Sequence, residues 1–352
     1  PTNNIDAGPR NGTLPADPRL VNGPIVDHDV INGLFPAGTR TRNVGTVWFD
    51  TPDRRNAWAR QYSIGYERQV GSEIGLSVDF IRSEQRNQYL RKELNPGVRS
   101  SGEATGRVTR TNPLVGSPGE FAASVVTIVN GGEITYNTVQ VSGTKRMSNN
   151  WQARLSYAYS RGRGNTPDGQ ANLVQPSQFL DDLRLDTEFG PTNVDRPHIL
   201  TVSSSFDVPR TGGLKVSGVL TARSGTPFSL VDTNFDADRN GLTTNEYLPA
   251  GSYSGNGEDA LTVDYKGGRN GARGPNYMSL DLRTGYRFRL PRGQTLDAFL
   301  DVFNATNEPN FENPTPANNS SDRRNLTTFL NLTEIFNGGP TRTAQINVRY
   351  GF

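Results

Sequence analysis

The sequence predicts an all-β fold, a transmembrane antiparallel β-barrel of which this chain supplies an incomplete C-terminal portion. Three observations lead there: stretches of about ten residues in which apolar and polar side chains alternate, very short polar turns joining them in pairs, and long loops separating the pairs. No run of about 18 apolar residues occurs, which argues against a membrane-spanning helix. A closed barrel needs none, because its backbone hydrogen bonds are satisfied between strands.

The first pair sets Trp58, Tyr62, Ile64 and Tyr66 against Gln61, Ser63, Gly65 and Glu67, turns at Gly71-Ser72, and resumes with Ile74, Leu76, Val78 and Phe80. Period-two alternation sends one set of side chains to each face of a sheet. A second pair covers about 135–146 and 151–160 around a turn at 147–150, with Val139, Val141, Leu155, Tyr157 and Tyr159 on the apolar side. The third carries Leu200, Val202 and Phe206, then Leu214, Val216 and Leu220 beyond a turn at 210–213, where Gly212 and Gly213 supply positive backbone dihedrals. In the fourth, Met278, Leu280, Leu282, Tyr286 and Phe288 lead through 291–293 to Leu296, Ala298, Leu300 and Val302. A last strand places Ala344, Ile346, Val348, Tyr350 and Phe352 together.

The chain therefore divides into residues 1–57, a mostly irregular extracellular loop region with a short alternating stretch near 44–49, and residues 58–352, a barrel portion of about nine strands. Connections of about 83–133, 161–197, 224–276 and 305–340 are rich in Asn, Gly, Pro, Asp and Arg. Short turns at one rim and long loops at the other fit a barrel whose turns face the periplasm. An odd number of strands implies missing partners, since bacterial single-chain barrels normally close with an even number.

Only 33% of the 352 residues are hydrophobic, yet that does not exclude a membrane, because barrel lumen and loops are polar. Lys and Arg total 37 against 35 acidic residues, a formal charge of +2, so nothing points to a nucleic-acid partner. Without cysteine, thiol chemistry and disulfides are excluded. Residues 1–8 carry no Met, basic stretch or apolar signal, and the chain is expected to be a fragment or processed product. Trp151, Phe80, Tyr157, Tyr159, Tyr286, Phe288 and Tyr350 are the expected aromatic girdle. Arg283, Arg287, Arg289, Asp281, Asp297 and Asp301 are expected in a charged network inside the barrel or against a plug.

The stretches YSIGYERQVGSEIGLSVDFIRS, YNTVQVSGTKRMSNNWQARLSYAYSRG, TEFGPTNVDRPHILTVSSSFDVP and LDLRTGYRFRLPRGQTLDAFLDVFNATNEPNF, with the terminal RTAQINVRYGF, resemble the C-terminal barrel of TonB-dependent outer-membrane receptors of the Oar-like group. The resemblance implies a barrel of about 22 strands around an N-terminal plug, in the bacterial outer membrane, with this chain as its last strands. It further implies energy-coupled uptake of a large, unknown external ligand by the intact protein. The TonB complex would be engaged through missing N-terminal regions, and the barrel-assembly machinery through the last strand and Phe352. An outer-membrane adhesion or secretion-support protein is the alternative, and a passive porin a third.

One loop carries a chemical signal. In DTNFDADRNGLTTNEYLPAG, Asp236, Asp238 and Asn240 are spaced as oxygen ligands before Gly241, like the start of a Ca²⁺ loop. Glu246 falls one place short of the usual final acidic position, and an acidic loop without metal competes with this reading. Two histidines and no cysteine leave zinc without a ligand set. His198 is expected in a packing or hydrogen-bonding role, and no catalytic constellation or phosphate loop emerges, so an enzyme is not expected.

Overall fold

The computed structural model describes residues 47–49, 53–93, 97–106, 108–110, 125–166, 185–241, 243, 246–315, 321–336 and 341–352. Nine long strands follow one another along the main sheet: β1 Trp58–Val70, β2 Ile74–Glu93, β3 Val125–Ser148, β4 Trp151–Gly164, β5 His198–Asp207, β6 Leu214–Arg223, β7 Tyr277–Arg289, β8 Thr295–Phe303 and β9 Thr343–Gly351. Each pairs antiparallel with its neighbour in chain order. Val47–Phe49, inside the stretch read as alternating, forms a short strand parallel to Val125–Thr127. The remainder of the expected 1–57 loop region up to residue 52 lies outside the described residues, as do 111–124, 167–184, 316–320 and 337–340 of the expected connections.

Register turns the alternation of single strands into two chemically distinct surfaces. Tyr66, Val78, Val141, Tyr157, Leu200, Ala222 and Met278 stand opposite one another in a row across seven strands. The next row, on the other face, is Glu67, Ser77, Ser142, Ser156, Thr201, Thr221 and Ser279. A slip of one residue in any pairing would exchange the two surfaces. Among the described residues nothing covers the apolar surface: Ile64 is 72% exposed, Ile346 77% and Val348 64%. An uncovered apolar sheet face of this extent calls for hydrocarbon around it.

The short turns hold that register through backbone that few residues adopt. Between β3 and β4, Asn149 and Asn150 both have positive φ, 49° and 66°, the tight reversal that matches strand twist. Ser148 already pairs with Trp151, so this turn is narrower than 147–150. After β5, Arg210 and Gly212 take φ of 64° and 75°, and a Cβ on Gly213 would sit 2.6 Å from the carbonyl oxygen of Arg287. Arg292 and Gly293 turn the chain after β7, at φ 65° and 79°.

The other ends of the strands correct the expected loop boundaries. Residues 83–93 and 125–133, read as part of a connection, continue β2 and β3 as paired strand. A register shift around Gln85–Leu90, with Asn87 at φ 57°, breaks the period-two pattern there while backbone pairing continues. This extension is no longer apolar on one side and exposed: Tyr89, Leu90, Val126 and Ile134 are buried.

On the polar surface, the expected charged network forms in part. Arg287 donates to both oxygens of Asp297 at 2.6 and 2.8 Å, and Arg283 is paired in the same forked way with Asp301. Asp301 also accepts from Gln345 and Asn347 on β9, binding three strands together. Asp281 instead accepts from the Asn304 backbone N–H at 2.9 Å and the Ser279 hydroxyl at 3.0 Å. Aromatics gather toward both ends of the apolar surface. Trp151 opposes Phe206 beside the short turns, and Tyr159 opposes His198 roughly 26 Å further along the strand at ~3.3 Å per residue.

The two surfaces predict opposite responses to charge. Leu155→Arg, halfway between the Trp151 and Tyr159 rows, should lower the unfolding free energy in lipid vesicles by about 2–4 kcal/mol, the cost of a cation at the bilayer midplane, whereas Ser156→Arg on the polar face should cost well under ~1 kcal/mol. Urea titration followed by tryptophan fluorescence checks this; equal losses would contradict the assignment of the faces.

Candidate functional site

Beyond the strand ends opposite the short turns, the long connections fold into a cap with a core of its own. Phe228, Leu230, Leu248, Val263, Tyr265, Ala272, Phe329 and Leu330 pack together and are buried. Each comes from a stretch too polar and too short in period to announce a core. Pro227–Phe228 pairs with Ala272–Arg273, and Gly251–Ser254 with Thr262–Tyr265. The Leu248 N–H donates to the Leu230 carbonyl at 3.0 Å, and the Leu261 N–H to that of Leu330 at 2.8 Å.

Arginines fasten this cap to the sheet by donating to backbone carbonyls at the strand ends and in the loops beyond them. Arg269, buried, reaches the carbonyls of Gly164 and Asn165 at the end of β4. Arg273 forms an ion pair with buried Asp195 at 2.7 Å and donates to the carbonyls of Asp195 and Gly225. The Asp195-Arg196-Pro197-His198 segment is thereby a clasp: Gly162 N–H donates to Asp195, and Arg196 donates to the Ser224 carbonyl at 2.7 Å. His198 sits between Tyr157 and Tyr159, with its Nδ1 2.8 Å from the Tyr157 hydroxyl. It has the packing and hydrogen-bonding surroundings expected from its place before β5.

The acidic loop lies one step beyond the cap core. Its ends are tied where the Asp232 N–H donates to the Glu246 carbonyl at 3.0 Å and Val231 bridges Tyr247. Asp236 is fully buried, and its Oδ2 accepts from Arg99 Nε at 2.6 Å and from the Gly241 N–H at 2.8 Å. Gly241 has a φ of 88°, and a Cβ there would sit 2.9 Å from a Val108 methyl and 3.3 Å from the Gly97 Cα, so the position requires glycine for both turn and approach. Arg99 comes from the strand Gly97–Arg99, paired with Val108–Arg110. Its guanidinium also donates to the carbonyls of Ala104, Gly106 and Gly241 at 2.6, 2.9 and 3.0 Å.

Asp236, Asp238 and Glu246 present carboxylate oxygens that all lie within 4.8 Å of one another. Two of these were singled out by spacing, and the third is the acid that sat out of register in sequence. Asn240 meets the group differently from expectation: its backbone N–H and side-chain amide both donate to Asp238, at 3.1 and 3.3 Å. Arg99 carried no sequence signal, because its partner is 137 residues away.

A second buried acid shapes the cap nearby. The Tyr247 hydroxyl donates to Glu188, with both oxygens at 3.3–3.4 Å. Burial, and then the Glu188 charge, raise the Tyr247 phenol well above its ordinary value. The raised folded value means that this contribution to stability is complete below pH ~10 and is lost as pH rises above it, where the unfolded phenol ionises first.

Two predictions follow from these contacts. Arg99→Met leaves the Asp236 charge buried and unpaired, which should cost about 3–5 kcal/mol locally and expose the 97–106 and 232–246 segments to limited proteolysis with the sheet intact. In an alkaline titration followed by tyrosinate absorbance, Tyr247→Phe should leave the folded-state curve below pH ~11 unchanged, since the folded Tyr247 keeps its proton there.

The family match agrees with this architecture. Residues 7–345 match the family described as outer membrane beta barrel domain. Among solved structures, the outer membrane transporter YddB from Escherichia coli is similar, with 10% identity and a TM-score of 0.47, over 86% of this chain and 33% of that one. The FrpB iron transporter from Neisseria meningitidis (F3-3 variant) is similar at 14% identity and a TM-score of 0.43, over 87% of this chain and 32% of that one. The chain thus spans about one third of the length of each. No curated protein matches the sequence. With an uncovered apolar belt, a polar opposite face and a family match over nearly its whole length, the chain belongs to the outer-membrane β-barrel domain family and resides in the outer membrane.

Proposed function

We propose that this chain forms barrel wall and external loops of a TonB-dependent outer-membrane transporter of the Oar-like group, which takes up a large ligand when intact. The observation that carries the reading is the pairing of a two-faced strand wall with a cap that has its own core. A passive pore needs only the wall, whereas a folded external surface suits capture of something before passage. The polar face, with its Arg–Asp forks on β7 and β8, would line the lumen.

Among the described residues, β1 pairs only with β2 along the main path and β9 only with β8, so both edges would require partner strands in lipid. In this reading the intact barrel has about 22 strands, and a plug and the TonB contact lie in segments that precede this chain. The barrel-assembly machinery would recognise β9 and the residue after it, since the Tyr350 and Phe352 side chains are exposed and neighbouring. An adhesion or secretion-support role shares the folded cap and differs in lacking passage.

The intact protein, purified and reconstituted in planar bilayers, should show no steady conductance and should be retained by an immobilised periplasmic domain of TonB. Constitutive ohmic conductance would favour a porin. A closed channel that ignores TonB would favour adhesion or secretion support.

A further inference from the structure

We infer that Asp236, Asp238 and Glu246 form a Ca²⁺ site that locks the acidic loop to the cap. Clustered acids alone would not carry this. The independent observation is Asp236 itself: it is 0% exposed, both of the hydrogen bonds found for its carboxylate go to Oδ2, and Oδ1 is buried without any hydrogen-bond partner. A buried carboxylate oxygen that accepts nothing is expensive, and Oδ1 is the oxygen that Asp236 has left to present to Asp238 and Glu246.

The spacing suits a hard cation of this size. Ca²⁺ holds oxygens at about 2.3–2.6 Å, so two ligands on opposite sides of one ion stand roughly 5 Å apart. The three carboxylates fall within 4.8 Å of one another. Mg²⁺ demands shorter bonds and a near-ideal octahedron with several waters, which an irregular carboxylate set serves less well. Glu246 completes the set because the Asp232 N–H to Glu246 carbonyl bond folds the far end of the loop back onto its start. The ion would sit on the Oδ1 side of Asp236, and Arg99 would remain on Oδ2.

Tyr247 follows Glu246 directly and provides an optical handle, since a nearby tyrosine sensitises Tb³⁺ emission and Tb³⁺ substitutes for Ca²⁺. The probe is Tb³⁺ added to the intact, chelator-stripped protein in detergent, excited through tyrosine and then displaced by Ca²⁺. The expected result is sensitised emission, displaced with a midpoint of about 0.1–1 mM Ca²⁺, the range of extracellular modules. Asp238→Asn and Glu246→Gln, both nearly isosteric, should each weaken Tb³⁺ binding about tenfold while the barrel keeps its folded electrophoretic mobility. Emission that is absent in the parent, or equally strong in both variants, would overturn the site. Displacement by Mg²⁺ as readily as by Ca²⁺ would overturn its assignment to calcium. If a variant fails to fold, the parent titration with Ca²⁺ and Mg²⁺ still decides.

Discussion

Every backbone N–H and carbonyl that enters hydrocarbon must find its partner within the protein, because no water is present to take its place. Between the outer edges of β1 and β9, the demand is met by antiparallel pairing carried from strand to strand. Side-chain chemistry then follows from register alone. The Tyr66-to-Met278 row can face lipid only because every intervening hairpin holds its pairing. The positive backbone angles at Asn149, Asn150, Gly212 and Gly293 therefore act at a distance: they decide which residues meet lipid many ångströms away.

Outside the bilayer the rules change, and so does the architecture. Loops in water have only short ladders, and arginines add donors to their backbone carbonyls. Arg99, Arg269 and Arg273 each bridge segments far apart in sequence. Apolar burial follows the same division. Sheet strands below the cap expose their hydrophobic side chains, while the cap hides Leu230, Tyr265 and Leu330 almost completely. The protein is inside-out in one half and conventional in the other.

The strand wall was legible in sequence because lipid on one side and polar groups on the other impose a strict period of two, seen plainly in Met278 to Phe288. Legibility ended where that contrast ended. The upper part of β2 reads Arg82 to Glu93 with a bulge at Asn87, so neither alternation nor apolarity signals a strand. The cap core was invisible for a related reason: Phe228, Leu248 and Phe329 lie in apolar stretches of only a few residues with no sustained period, and they meet only through tertiary folding. At the acidic loop, spacing singled out Asp236, Asp238 and Asn240, of which the fold brings the two acids together with Glu246. It could not find Arg99 or the approach of Glu246, which depend on chain reversal rather than on residue count.

The cap core draws on two stretches, 228–272 and 329–330, and the hairpin of β7 and β8 runs between them. The second stretch is brought beside the first at least cost once that hairpin stands in place, since its closure shortens the effective loop to be ordered. Cap formation is on this account a late step of biogenesis, following insertion of the wall. A surface competent to meet the outside world would then exist only on molecules whose barrel had already been built correctly.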